Sequence, residues 1–323
     1  MDYQKKDTNF LKFIAILLIT NSHLDQYYPI SNLATGGAIG NSLFFMLSTF
    51  GLLLSERANP RSFFDWYNRR IIRIYPSVWV ACILFFIPVR YYFNMLDSND
   101  IFYILSFFFY PPFWFLKAIM IYYFFVFFII KNYNVKKFYV FFFSILIVYM
   151  FGYFFYLDLS VWSALDLPLS ALFYFTMFIS GIYVADNNHK IKYSGFQDYI
   201  FLFISFLVIY LHKYLITKNI LVEYQFIELL FLFPLVFYAL KISRSDFIQK
   251  RIMDVPFLSK IIIYISGITL ELYMVQDILA LPIREIGLPF PINIIVFLIS
   301  IFIAASLIKY LSKYILSFVQ RIK

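Results

Sequence analysis

The chain has 323 residues, 63% of them apolar or aromatic and only 14% charged, with 44 Phe, 28 Tyr and one Cys. That composition, with a mean hydropathy of +0.79, excludes an ordinary soluble enzyme, a disordered chain and a disulfide-stapled secreted domain, because a soluble fold of this length has no interior large enough. The net charge of +9 fits Lys and Arg gathered in cytoplasmic loops of a membrane protein, and no nucleic-acid partner is expected.

A bilayer-crossing helix needs roughly 20 mostly apolar residues. Ten such stretches are readable, near 9–24, 38–55, 74–93, 113–131, 137–156, 167–185, 197–214, 222–241, 259–280 and 291–316. They lack the short polar–apolar alternation of an outer-membrane barrel. The expected fold is therefore an all-α polytopic bundle of about ten spans, a single integral-membrane domain over 1–323. The apolar segment 99–110, which ends at Pro111-Pro112, reads as a half-helix or interfacial piece.

In the first span, Lys5 and Lys6 precede an apolar run as in a signal peptide, but no small-residue cleavage site follows, so it reads as an uncleaved span. Lys12 lies toward the inner side, and His23, eleven residues on, is about 16 Å higher. A neutral imidazole in the outer half of the bilayer can take a proton from a hydroxyl, the work of a general base. Asp25 or Asn21 is placed to orient it. A hydrogen-bonded histidine at a helix end is the competing explanation.

The second span opens with Gly36-Gly37-Ala38-Ile39-Gly40 and continues through Phe44-Phe45-Met46-Leu47-Ser48-Thr49-Phe50-Gly51. Small residues permit close helix approach; they also leave backbone room for a ligand, with Ser48 to hydrogen-bond it. At the start of the third span, Arg69, Arg70 and Arg73 are spaced to share a helix face. Such a trio suits a phosphate clamp, although basic residues here also set topology and touch anionic headgroups.

Cys82, alone inside the third span, is expected to be buried packing. No Cys/His cluster has metal-ligand spacing, so no metal is expected. Trp114 and Lys117 open the fourth span, and Glu271 is a carboxylate within the ninth. Charges in a span are costly and mark functional candidates. Lys117 and Glu271 either pair with each other or water, or line a substrate cavity. His189 and His212 lie at span ends and take no role in this reading.

The loops check the span count. Lys5 and Lys6, the Arg57–Arg73 group, Lys131, Lys136 and Lys137, Lys190 and Lys192, and Lys241 to Arg251 alternate with loops nearly free of basic residues. Lys309, Lys313, Arg321 and Lys323 end the chain. The positive-inside rule then puts both termini in the cytoplasm.

Taken in order, these motifs resemble acyltransferase family 3, the membrane O-acyltransferases of surface glycans. The family's Arg–ten residues–His signature is similar to Lys12 and His23, with Lys for Arg. Its Phe-Phe-x-Leu-Ser-Gly-Phe is similar to Phe44 to Phe50, with Thr49 for Gly, and its Arg-Ile-Tyr-Pro to Arg73-Ile74-Tyr75-Pro76. A Trp-Phe-Leu start to span four and a Leu-Glu-x-Tyr-x-x-Gln stretch at 270–276 add to the likeness, which covers the whole chain.

The resemblance implies transfer of an acyl group, usually acetyl, from cytosolic acetyl-CoA as co-substrate to a carbohydrate hydroxyl, without a permanently bound cofactor. It implies His23 as the catalytic residue, with Asp25 and Asn21 beside it. Arg69, Arg70, Arg73, Lys12 and Tyr75 would hold acyl-CoA, and Ser48, Trp114, Lys117 and Glu271 would line the substrate cavity. Lys12 keeps the family's charge but not the planar fork of Arg. A transporter or flippase for a glycan or lipid-linked sugar, or a scaffold in a glycan-synthesis complex, would use a similar bundle without chemistry. The expected location is the cell's cytoplasmic membrane.

Overall fold

The structure, a computed structural model, describes residues 2–96, 101–110, 112–160, 163–165 and 168–322, without side-chain detail for 2–4, 101–104 and 318–322. Residues 99 and 100 of the short apolar segment, Pro111, residue 167 and Lys323 lie outside the described residues, as does the side chain of Arg321.

In order, the helices are α1 (Asp2–Ser22), α2 (Gly37–Ala58), α3 (Phe63–Ala81), α4 (Ile87–Tyr92), α5 (Ile101–Phe109), α6 (Trp114–Lys131) and α7 (Val135–Tyr156). Then come α8 (Leu169–Asp186), α9 (Phe196–Thr217), α10 (Phe226–Ser243), α11 (Asp246–Ile248), α12 (Pro256–Gly267), α13 (Thr269–Glu285) and α14 (Ile292–Ile322). A π-helical turn, Cys82–Phe86, joins α3 to α4 without a break. There is no strand among the described residues.

Among the described residues, eight helical stretches are long and apolar enough to cross a membrane, or nine if α12 and α13 count as one bent span. The protein is a multi-pass, all-α membrane protein. The first predicted span is helical but is not among these, because Lys5, Lys6, Asp7 and Lys12 interrupt its apolar run. The predicted span 259–280 is two helices meeting at 67°. Gly267 ends α12, and Ile268, at φ −113° and ψ 16°, leaves helical geometry before α13 begins. Segment 99–110 does contain a short helix: the nine residues of α5 rise about 14 Å, roughly half the hydrocarbon thickness.

The chain forms two compact units interleaved in sequence. The first comprises residues 1–15, 38–60 and 124–263; the second comprises 16–37, 61–123 and 264–323. In the first unit, α2 and α8 approach closely at Gly181, where an added Cβ would sit 2.2 Å from the Met46 carbonyl oxygen. The small residue that permits this contact is on α8; Gly37, which opens α2, permits another in the second unit, where an added Cβ would sit 2.6 Å from Ser22 Oγ at the end of α1. Phe45, fully buried, packs on Tyr174 and Phe178 of α8. Much of α7 and α9 remains outside the protein core, exposing Phe143, Ile147, Phe151, Phe203 and Tyr214, as lipid-facing surfaces do.

Buried charges in the first unit are matched. Asp7 accepts hydrogen bonds from Arg244 and Gln249, at 3.0 and 2.8 Å. Lys241 pairs with Asp198, Arg57 with Asp186 and Lys131 with Glu56. Burial of Asp7 raises its carboxyl to about 6, against the opposing pull of Arg244.

Candidate active site

The second unit carries a column of polar side chains through an apolar bundle. It begins on α3, where Ser62 caps the helix by accepting the Asp65 N–H and donating its hydroxyl to the Asp65 carboxylate. From that start, Trp66, Arg70, Arg73 and Ser77 recur at helical spacing along one face. The Arg70 guanidinium stacks 5.0 Å from the ring centroid of Trp66 and 6.0 Å from that of Tyr123. Its Nε and Nη2 are buried with no hydrogen-bond acceptor among the described residues.

Buried N–H donors on a cation are costly unless a ligand satisfies them. Arg69 and Arg73 on the same turn are exposed. None of the three has a carboxylate partner among the described residues.

Seven residues beyond Arg70, about 10 Å along the helix, the buried Ser77 hydroxyl donates to Glu271 Oε1 at 2.8 Å. Lys309 of α14 donates to the same oxygen at 3.2 Å, while Glu271 Oε2 has no partner among the described residues. The cation at Glu271 is therefore Lys309, not Lys117. In the loop check Lys309 counted as a basic residue near the chain's end, yet it lies within α14 with its ammonium reaching a buried carboxylate.

Further along α13, Gln276 accepts from the Thr20 hydroxyl at 3.1 Å, and its own Nε2 is unpartnered among the described residues. The next residue, Asp277, places Oδ1 3.1 Å from Nδ1 of His23, with the two side chains 43% and 32% exposed. A histidine held through Nδ1 by a carboxylate presents Nε2 to whatever approaches, and half-exposure leaves a route to it.

Asp25 is exposed, and neither it nor Asn21 is the group on the His23 ring. The Asn21 amide instead donates to the carbonyls of Leu33 and Thr35, both at 2.9 Å, and its oxygen accepts from Tyr28 at 2.7 Å. Asn21 thus folds the loop after α1 back over the helix end. Gly36 completes that return: its φ of 103° and an added Cβ only 2.8 Å from Leu18 require glycine.

The remaining expected residues divide between the units. Tyr75 donates to the carbonyl of Phe109 at 2.9 Å and sits edge-on to Trp79. Trp114 and Lys117 lie at the start of α6, with the Lys117 ammonium 4.1 Å above the Tyr110 ring. Lys12, on α1, and Ser48, on α2, are half-buried and belong to the first unit. Cys82 is fully buried, as expected of a packing residue.

Asp277 is the group that sequence reasoning missed. The available signal was a carboxylate inside an apolar helix, one residue past the 270–276 motif.

The second unit thus carries, at one end of a polar column, arginines without a carboxylate partner among the described residues and, at the other, a histidine–aspartate pair, an arrangement suited to group transfer. The family comparison makes it specific. The acyltransferase domain of family 3 matches residues 6–311, so the chain belongs to that family of membrane acyltransferases. No curated protein and no solved structure matches it.

Proposed function

We propose that the protein transfers an acetyl group from cytosolic acetyl-CoA, across the cytoplasmic membrane, to a sugar hydroxyl of a cell-surface or exported polysaccharide or its lipid-linked precursor. Both termini then lie in the cytoplasm, with the arginine cluster on that side and His23 toward the other.

The observation that carries this reading is the separation, within one unit, of buried unsatisfied guanidinium donors at Arg70 from the His23–Asp277 pair. Arg69, Arg70 and Arg73 grip the phosphates of CoA, and the pantetheine arm follows the Ser77–Glu271–Gln276 column toward His23. Nε2 of His23 takes the proton of the acceptor hydroxyl as its oxygen attacks the thioester carbonyl. The tetrahedral intermediate collapses to the ester, and the CoA thiolate leaves and is protonated. Asp277, on Nδ1, holds the ring and stabilises the imidazolium in between.

The test is acetyl-CoA binding and turnover by purified protein in nanodiscs. Wild type releases CoA thiol, His23→Ala binds the donor without turning it over, and Arg73→Ala binds it weakly. A wild type that binds no acyl-CoA overturns the reading.

A further inference from the structure

A second cluster of cations occupies the far end of the α3–α4 run. Arg90 on α4 and Lys117 on α6 line a polar pocket of about 320 Å³, together with Phe86, Ser106, Phe107 and Tyr110. That volume falls near the lower limit of small-molecule clefts, roughly 300–1,000 Å³. Both cations rest on aromatic faces: Arg90 is 5.3 Å from the Phe86 centroid and Lys117 is 4.1 Å from that of Tyr110. Arg90 also donates to the weak acceptor Sδ of Met95, at 3.8 Å. Neither has a carboxylate partner among the described residues. Stacking fixes the two side chains while leaving N–H groups free to meet an anion.

The position of the pocket says which substrate it serves. Arg90 is seventeen residues beyond Arg73 along one continuous helical run, about 25 Å at 1.5 Å per residue, so CoA phosphates held at the arginine trio do not reach it. The π-turn segment and α4 both pack on α13, the helix of Asp277. From the other side, the Phe115 ring, two residues before Lys117, packs 5.0 Å from Tyr273, one turn before Asp277. The elements that carry the pocket's lining therefore pack against α13, the helix of Asp277.

We propose that Arg90 and Lys117 bind a negatively charged group on the carbohydrate acceptor, a uronic-acid carboxylate or a sugar-linked phosphate, while the aromatic rings take the apolar face of the sugar. The acceptor is thus an anionic glycan. This rests on the acyltransferase reading of the same unit and specifies its substrate class.

The experiment uses the full chain in zwitterionic nanodiscs. Binding of oligogalacturonate, of its methyl ester (the same chain without charge) and of oligo(glycerol phosphate) is measured by thermophoresis at low salt. Wild type is expected to bind at least one anionic chain about tenfold or more tighter than the ester, and the chain preferred tells carboxylate from phosphate. R90Q/K117Q abolishes the preference, whereas the charge-keeping R90K/K117R retains it, which separates recognition from a folding defect. Equal binding of the anionic chains and the ester by wild type, or a preference that survives in R90Q/K117Q, overturns the proposal. Acetyl-CoA binding by the same wild-type sample distinguishes that failure from a failure of the acyltransferase reading.

Discussion

Among the described residues each unit contains one histidine–carboxylate pair, and the two have nearly the same length: His23–Asp277 at 3.1 Å and His212–Glu228 at 3.2 Å. Their access differs. The first pair is 32% and 43% exposed, the second 5% and 8%. General-base chemistry needs a path for the hydroxyl to the ring, and only the first pair leaves one. His212 and Glu228 instead tie α9 to α10 by a buried hydrogen bond, inside the unit whose buried charges are matched. The lesson is that a His–carboxylate contact in a membrane helix is functional or structural according to what can reach it, not according to its geometry. Arg70 of the second unit follows the same logic: its Nε and Nη2 are buried without an acceptor among the described residues.

The comparison breaks most directly at the histidines. His23→Ala is expected to lower acyl transfer by about 10²–10⁴-fold while membrane insertion and thermal stability hold; glycan acylation that persists in this variant would remove His23 from the reaction. His212→Ala is expected to do the reverse. Leaving the buried Glu228 carboxyl without its hydrogen-bond partner costs about 1–3 kcal/mol of stability, seen as a lower melting temperature, with turnover per folded molecule preserved. If turnover falls and stability does not, the two pairs have been assigned the wrong way round.

Asp277→Asn sharpens the accessible pair. A charge-assisted hydrogen bond is worth about 1.5–3 kcal/mol, so kcat should drop roughly 10- to 100-fold, with Asp277→Glu recovering part of it and donor affinity unmoved. Arg70→Gln probes the other end of the column. It should raise the KM for acyl-CoA about tenfold with kcat nearly held, the pattern of lost ground-state binding.

The smallest effect belongs to Asp7 in the first unit. Its folded carboxyl titrates near 6, above the ordinary value, so the folded state holds the proton longer than the unfolded chain. Stability from this group is greatest below about pH 4 and declines as pH rises to about 6. Thermal melts across that window should show the slope in wild type and lose it in Asp7→Asn.

The apolar content, the span-length runs and the Arg and His signatures made the membrane class, the helical fold and the family readable from residues alone, because each rests on composition or on spacing within one helix. His23 and the arginine trio stood out as candidates for the same reason: charge and imidazole contrast with Phe, Ile and Leu. What hid was every partner chosen across helices. Asp277 is 254 residues from His23 in sequence, and Lys309 lies 38 residues beyond Glu271. No local spacing announces such contacts. Asn21 and Asp25 were nearer in sequence, but the chain turns at the end of α1, so Asn21 closes the loop and Asp25 faces outward. The bend at Ile268 likewise escaped an apolar run that reads as a single span.

The sequence by itself therefore determined the solvent this protein lives in, its helical class and its family, since transfer energies and helix periodicity act residue by residue. The tertiary structure alone decided which carboxylate meets which cation or imidazole, and which of two alike histidines is open to a substrate. Burial and pairing depend on the packing of helices distant in sequence.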